Sequence, residues 1–275
     1  MELTFWGVRG IVPVSGKETI KFGGHTSCAS VLSSKGEMII IDAGTGIKML
    51  GDHLMNEKKD QSLRIHILFT HFHLDHIMGL PFFAPLYSPE AVITFYASSL
   101  PKETEGYLKR LMAGRYFPLE LNETHSIKEF KKIPQENFII GGIQVSHHLL
   151  NHPQSSIAFK LQEEQSDIVF ATDTEHPEKG IDEGLASFAY AADFLIYDAT
   201  YTPEEYNSGK RGWGHSTWLE GVKLARKAKV RELCLSHFNP NYSDNKIDRI
   251  ISLARKEFNS TEGAMEGLKK IFRSE

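Results

Sequence analysis

The apolar positions in the first part of the chain fall in short runs separated by turn residues, which is a pattern typical of β-strands. Strands are predicted at residues 3–6, 28–32, 38–42 and 64–70, and the first three are expected to be joined as hairpins. Before the fourth, Ile47, Leu50 and Leu54 recur at spacings of three and four, with Thr45 as a candidate cap. This spacing predicts a short amphipathic helix.

The rest of the chain continues to alternate between strand and helix patterns. Further strands are predicted at residues 92–96, 138–140, 143–149, 156–161, 167–172, 194–197 and 233–236. Helices are predicted at residues 102–112, 185–192, 217–227 and 247–258, and residues 113–137 are expected to form an irregular covering segment. Two β-rich halves that each finish with helices predict two sheets packed face to face with helices outside, an α/β fold of the αββα sandwich type. We expect one domain over residues 1–275.

The amino-acid composition and net charge limit the kinds of partner and the cellular location that we expect. The chain is 41% hydrophobic and 24% charged, with a net charge of −4, so bulk nucleic-acid binding is not expected. Cys28 and Cys234 are predicted to be two reduced core thiols, which favours a cytoplasmic location. Neither a signal peptide nor a run of eighteen apolar residues is present, so we expect no membrane association.

The candidate chemistry begins with a histidine cluster directly after the fourth predicted strand. His71, His73, Asp75 and His76 lie within the run Thr70-His71-Phe72-His73-Leu74-Asp75-His76. Imidazole and carboxylate are ligands for Zn²⁺, Mn²⁺ and Fe²⁺. This pattern predicts a metal site.

Four later side chains share one local form, an apolar strand that ends on a ligand-type residue. They are His152, Asp173, Asp198 and His237. Strands of one sheet can end at a common edge, so these residues can converge on the cluster. We assign two divalent ions, Zn or Mn with Fe as an alternative. The first would be held by His71, His73 and His152, the second by Asp75, His76 and His237, with Asp173 bridging them. Two ions would activate a shared water for attack on an anionic group such as a phosphodiester.

The histidine run, followed in order by a lone His, Thr172-Asp173-Thr174 and Ser236-His237-Phe238, resembles the metallo-β-lactamase superfamily. That resemblance implies the αββα fold and the same ligand positions. Asp42 in Asp42-Ala43-Gly44-Thr45-Gly46 resembles an early conserved segment of the superfamily and is expected to be structural.

A second pair of motifs resembles the phosphodiesterase branch of this superfamily, which includes tRNase Z and the phosphoribosyl cyclic phosphodiesterases. The motifs are Gly214-His215-Ser216-Thr217 and Asp198-Ala199-Thr200. The resemblance implies that His215, oriented by Asp198, is the general acid that protonates the leaving oxygen. We place Asp75 among the catalytic residues with these two, as well as in the ligand set. A helix cap is the alternative reading of His215.

The expected substrate is a small phosphodiester, either a cyclic nucleotide or a cyclic ribose phosphate. A tRNase Z-like 3′-processing endoribonuclease is the alternative, although residues 97–140 contain no basic, Gly/Pro-rich arm. A thioester or lactam hydrolase of the same fold and a non-catalytic binding protein are further alternatives.

Several residues near these motifs receive weaker interpretations. Arg9 would meet a substrate phosphate or, in the reading that we favour, hold its own loop. His176 is expected in a solvated loop, and His25, His147 and His148 are not assigned as ligands. A homodimer is left open, with residues 80–87 or 116–117 forming either its interface or part of the core.

Overall fold

The computed structural model of the protein describes residues 1–57 and 62–272 and contains two mixed β-sheets. The strands of the first sheet are β1 Glu2–Gly7, β2 Cys28–Leu32, β3 Met38–Ile41, β4 Leu63–Leu68, β5 Ala91–Ala97 and β6 Ile127–Lys132. Those of the second are β7 Phe138–Ile140, β8 Ile143–Leu149, β9 Ile157–Glu163, β10 Ser166–Ala171, β11 Phe194–Asp198, β12 Glu232–Ser236 and β13 Thr261–Gly263. The last strand, β14 Lys269–Ile271, returns to the first sheet.

The two sheets have matching topologies. The first has the order β14-β1-β2-β3-β4-β5-β6, antiparallel as far as β3 and parallel from β3 to β6. The second has the order β13-β12-β11-β10-β9-β8-β7, parallel from β13 to β10 and antiparallel beyond. Because the carboxyl ends of parallel strands meet at one edge, residues that follow β10, β11 and β12 are neighbours.

Helices cover the outer face of each sheet. The helices are α1 Ile47–Glu57, α2 Pro101–Leu111, α3 Glu183–Phe188, α4 Pro203–Asn207, α5 Trp218–Ala228 and α6 Asp244–Glu257. Ile47, Leu50 and Leu54 of α1 pack on the outer face of the first sheet, as their spacing predicts. Residues of α3, α5 and α6 belong to the core cluster that contains the second sheet together with residues of β1, β2 and β3. The αββα sandwich is therefore confirmed. The prediction of a single domain over residues 1–275 includes positions outside the described residues and stays a prediction.

Four details of the sequence-based interpretation are wrong. Residues 113–137 are not wholly irregular, because they contain the edge strand β6. The helix expected at residues 185–192 is shorter, and Asp182 caps it. The Thr45 hydroxyl accepts a hydrogen bond from the Thr26 amide, 2.9 Å away, and does not cap α1. The sequence patterns also missed α4, β13 and β14.

The prediction for the two cysteines is confirmed. Cys28 and Cys234 are buried free thiols, and burial raises the pKa of both. Residues 80–87 divide between core and surface: Leu80 and Leu86 are fully buried, whereas Phe82 is exposed. No helix within residues 1–57 and 62–272 is long and apolar enough to span a membrane. The homodimer stays a prediction.

Candidate metal centre

The site lies where the strand ends of both sheets meet. His71 follows β4, Asp173 follows β10 and His237 follows β12, while Asp198 is the last residue of β11. Asp173 and His237 have left-handed backbone conformations, with φ of 59° each, so the chain turns sharply immediately after each strand. The side chains are thereby directed to a common point above the sheet edge.

The first ligand group consists of His71, His73 and His152, whose candidate ligand atoms lie within 4.8 Å of one another. His73 Nδ1 lies 3.1 Å from His152 Nε2, and His73 Nε2 lies 2.5 Å from Gln154 Oε1. His152 Nδ1 donates to the Gly214 carbonyl oxygen at 2.8 Å. His71 Nδ1 lies 3.0 Å from the Thr70 hydroxyl, so each of the three rings has one nitrogen held by the protein and the other directed to the group.

The second ligand group consists of Asp75, His76 and His237, within the same 4.8 Å limit. Asp75 Oδ2 lies 3.5 Å from Nε2 of both His76 and His237, and it accepts the Ile11 amide at 2.6 Å. His76 Nδ1 is bonded to Asp42 Oδ2 at 2.7 Å. His237 Nδ1 lies 3.0 Å from the Thr200 hydroxyl. Outer hydrogen bonds of this kind fix which imidazole nitrogen faces a metal.

Asp173 lies between the two ligand groups. Its Oδ2 is 3.2 Å from His76 Nε2, and its Oδ1 is 3.3 Å from His237 Nε2 and 3.9 Å from His71 Nε2. Oδ1 thus faces histidines of both groups, and Oδ2 faces His76 of the second group. Asp173 lies between the two groups, where a bridging carboxylate would lie.

Buried atoms that lack a hydrogen-bond partner indicate whether divalent ions fit the site. Among the described residues, Nε2 of His71, His76 and His237 and Oδ2 of Asp173 are buried without a hydrogen-bond partner. A buried polar atom without a partner is costly unless something binds it. All four point into the cluster, and nitrogen and carboxylate oxygen are the donors that Zn²⁺ and Mn²⁺ accept. The donor set fits divalent metal ions.

The charges of the cluster support this assignment. Burial opposes the charge of Asp173, but His237 and His76 outweigh it and hold the pKa of this carboxyl well below its usual range. Burial lowers the pKa of His71 and of His152, which favours the neutral imidazoles that bind metals. Burial also opposes charge on His237, yet Asp173 and Asp75 raise its pKa to about 9. A proton and a metal ion therefore compete for His237.

His215 and Asp198 form a pair beside the ligand groups. His215 Nδ1 lies 3.0 Å from Asp198 Oδ2, and the His215 ring centroid is 5.0 Å from that of His237. Asp198 is fully buried and also accepts the backbone amides of Asp173, Thr200 and Ser216 at 3.0–3.2 Å. Burial opposes its charge, but His215 lowers the pKa of Asp198. The cap of α5 is Thr217, so His215 does not have that role.

The loop that carries His215 presents an exposed aromatic side chain. Trp213 is 55% exposed, and Lys210 Nζ lies 4.0 Å from the centroid of its ring. Leu74, next to Asp75, and Ile11, whose amide contacts Asp75, are also exposed. These three exposed apolar residues are thus close to residues of the site along the chain or through a backbone contact.

Arg9 and Asp42 hold neighbouring parts of the protein and are not among the candidate ligands. Arg9 is fully buried and donates to the carbonyls of Gly23, Asn239 and Tyr242, so the favoured loop role is confirmed. Asp42 holds His76 and Thr70 and is not in either ligand group.

Three other histidines also lie outside both ligand groups. His147 lies 2.8 Å from the Pro134 carbonyl, and His148 stacks on Phe188. The expectation of a solvated loop position for His176 holds only in part: the residue lies in a loop and is half-buried, its ring packs on Tyr206, and its Nδ1 lies 2.9 Å from the Ser216 hydroxyl.

Sequence reasoning also missed the residues that hold the ligands. Gln154, Thr200 and the Gly214 carbonyl contact His73, His237 and His152 respectively, and Glu175 holds the loop around Gly214. Spacing carries no signal for such contacts, because each depends on two loops meeting in space.

Comparison with known proteins decides the family. A sequence profile described as Beta-lactamase superfamily domain matches residues 37–238, well over half of the chain. The chain belongs to the metallo-β-lactamase superfamily. It is a metal-dependent hydrolase with the fold of this superfamily, and the histidine and aspartate groups described above are suited to divalent metals.

The proteins that this chain resembles include a ribonuclease Z, a diphosphatase and a protein described only by its fold. A ribonuclease Z from Thermococcus kodakarensis is 28% identical over 295 residues, covering 89% of this chain and 86% of the relative. The fold is similar to that of YhfI from Bacillus subtilis, with a TM-score of 0.75, 20% identity and 98% of each chain covered. It is also similar to a diphosphatase of the PhnP family, with a TM-score of 0.69, 19% identity and coverage of 99% and 98%.

Proposed function

We propose that the protein hydrolyses a small phosphodiester, a cyclic nucleotide or a cyclic ribose phosphate, with two divalent ions held by the residues assigned above. The observation that carries the proposal is the His215–Asp198 pair beside the ligand groups. Hydrolysis of a phosphodiester expels an alkoxide that needs a proton, and the pair offers a donor at that place.

The ions, when bound, would supply an activated water near neutral pH and neutralise the charge of the phosphate. Asp173 would hold both ions, and the two ligand groups would fix one each. Asp75 stays in the second ligand group, and as a catalytic residue it would act through the ion that it holds. Asp198 holds His215 through Nδ1, so the ring orientation is fixed and Nε2 is left to donate to the leaving oxygen. The exposed Trp213 ring, with Lys210 over it, supports a base-bearing substrate.

Two features favour a small substrate. The net charge of −4 gives no general attraction to RNA. Within residues 97–140, helix α2 and strand β6 contact each other, and Leu108, Met112 and Leu121 belong to the core of the first sheet. This segment is thus packed onto the domain and offers no basic arm for gripping tRNA.

The second candidate is 3′-end processing of tRNA, favoured by the ribonuclease Z relative that matches most of the chain. Both candidates would use the same ligands and the same general acid. They differ in substrate size, so assays with the two substrates separate them.

The experiment is a substrate screen with protein supplied with Mn²⁺ or Zn²⁺. We expect hydrolysis of bis(p-nitrophenyl) phosphate and of at least one cyclic mononucleotide, and no cleavage of a 3′-extended tRNA precursor. His71→Ala should abolish activity, whereas His53→Ala should retain it, because His53 is a partly exposed residue of α1 that pairs with Glu57. Cleavage of the precursor alone would establish the second candidate. Full activity of His71→Ala would refute both.

A further inference from the structure

Glu175 is a buried carboxylate outside both ligand groups, two residues after Asp173. Its Oε1 accepts hydrogen bonds from the Tyr206 hydroxyl at 2.6 Å and from the Gly212 amide at 2.7 Å. Its Oε2 accepts the Gly214 amide at 2.9 Å. Three donors thus converge on one side chain, and two of them belong to the loop that carries His215.

The backbone of Glu175 is tied to a second loop. Its amide donates to the Asn151 carbonyl at 2.8 Å, and the Asn151 side-chain amide donates to the Glu175 carbonyl at 3.0 Å. Asn151 immediately precedes His152. Glu175 therefore joins the loops after β8, after β10 and before α5.

The Gly214 peptide is the point where these ties meet the site. Its amide is held by Glu175, its carbonyl accepts the His152 Nδ1–H at 2.8 Å, and the next residue is His215. Gly214 has a φ of 81°, and a Cβ there would lie 2.3 Å from His152 Nδ1. The peptide packs directly against the imidazole, so a shift of one moves the other.

We propose that Glu175 is a positioning residue that fixes the Gly214 peptide and thereby couples the orientation of His152, a metal ligand, to that of His215, the general acid. The inference rests on the proposed function for the part that concerns His215. The part that concerns His152 is independent of the substrate. Gly212 and Gly214 flank Trp213, so the same clamp holds the backbone on both sides of this exposed residue.

The carboxylate is required because all its partners are donors. Burial opposes the charge, but the Gly212 amide and the Tyr206 hydroxyl outweigh it and lower the pKa of Glu175. In Glu175→Gln, one acceptor becomes an NH₂ group of nearly the same shape that faces a donor. The variant therefore breaks the clamp without changing the packed volume.

The test compares Glu175→Gln with Tyr206→Phe, which removes one of the three donors, and with Glu178→Gln as the matched control. Glu178 is exposed and pairs with Arg211 of the same loop at 2.7 Å. The first readout is Zn²⁺ or Mn²⁺ affinity, measured by competition with a chromophoric chelator. We expect affinity to fall by about tenfold or more in Glu175→Gln, by less in Tyr206→Phe, and not at all in Glu178→Gln.

The second readout compares leaving groups at saturating metal. p-Nitrophenolate leaves without a proton, whereas a ribose alkoxide needs one. We expect kcat of Glu175→Gln to fall more for a 2′,3′-cyclic nucleotide than for bis(p-nitrophenyl) phosphate, with little change in KM. If Glu175→Gln fails to fold, judged by its thermal melt, Tyr206→Phe carries both tests.

Each result has a defined meaning. Metal affinity equal to that of Glu178→Gln would overturn the link to His152. Equal losses of kcat for the two leaving groups would overturn the link to His215. If the wild-type protein hydrolyses neither ester, the proposed function fails and the metal titration still decides the link to His152.

Discussion

Asp42→Asn tests whether the metal centre depends on a residue that is not a ligand. Asp42 is buried, and its Oδ2 accepts from His76 Nδ1 at 2.7 Å and from the Thr70 hydroxyl at 2.8 Å. Its Oδ1 accepts the Thr70 amide at 2.8 Å. An asparagine keeps one acceptor oxygen, so its NH₂ group must face either the Thr70 amide or the His76 ring, and in either orientation His76 loses its carboxylate partner. One donor is left without a partner in both cases.

The expected loss of metal affinity follows from the contact between Asp42 and His76. Loss of an outer hydrogen bond to a metal-binding histidine lowers metal affinity by about 10- to 100-fold. At about 1.36 kcal/mol per factor of ten, this corresponds to roughly 1.4–2.7 kcal/mol. A buried donor without a partner costs about 1–3 kcal/mol more in the stability of the folded protein. We therefore expect both weaker metal binding and a lower Tm.

The assay is a competition titration of each variant with Zn²⁺ or Mn²⁺, alongside thermal melts with and without metal. Asp52→Asn is the matched control, because Asp52 lies on the exposed face of α1 and pairs only with Lys48 in the described contacts. Wild-type metal affinity in Asp42→Asn would refute the reasoning. A loss as large in Asp52→Asn would show that the effect is not specific to His76.

Three further predictions use the same protein. His215→Ala should lower kcat for a cyclic nucleotide by about 10²- to 10⁴-fold and much less for bis(p-nitrophenyl) phosphate; equal losses would contradict the general-acid role. Trp213→Ala should raise KM for a cyclic nucleotide severalfold, since base stacking contributes about 1–3 kcal/mol, and an unchanged KM would exclude stacking of the base on Trp213. Chelation should lower Tm. Without metal, the pKa of His237 is raised to about 9. The chelated protein should therefore lose further stability as the pH rises from 7 to 9, whereas the metal-loaded protein should not. A Tm difference between the two forms that stays constant over this pH range would contradict this.

The fold was readable from the sequence because burial and chain pattern agree over most elements. Ile47, Leu50 and Leu54 lie on one buried face, and the apolar runs of β10, β11 and β12 are central strands. Strand β6 was missed because it is an edge strand rich in Lys and Glu, with Phe130 packed against the core of the first sheet. Charges on an edge protect it from pairing, and they also hide the strand pattern.

The candidate site was readable to the extent that its residues follow strands. His71, Asp173 and His237 could be placed together because each follows a strand end. Glu175, Gln154 and Thr200 could not be placed at the site, because each acts through contacts between loops that are distant in sequence. His176 looked like a loop residue in the sequence, and the packing of Tyr206 and Ser216 around it depends on the fold of a distant segment.

The return of β14 to pair with β1 affects how the protein folds during synthesis. Glu2 pairs with Ile271 and Thr4 with Lys269, so contacts close a loop of nearly the whole chain. The first sheet, from β1 to β6, is translated early, yet one side of β1 is covered only after residues 269–271 emerge. Until then β1 presents unpaired backbone groups, a template for pairing with other chains. Chains stalled before residue 269 are therefore expected to be more prone to aggregation than chains that include β14.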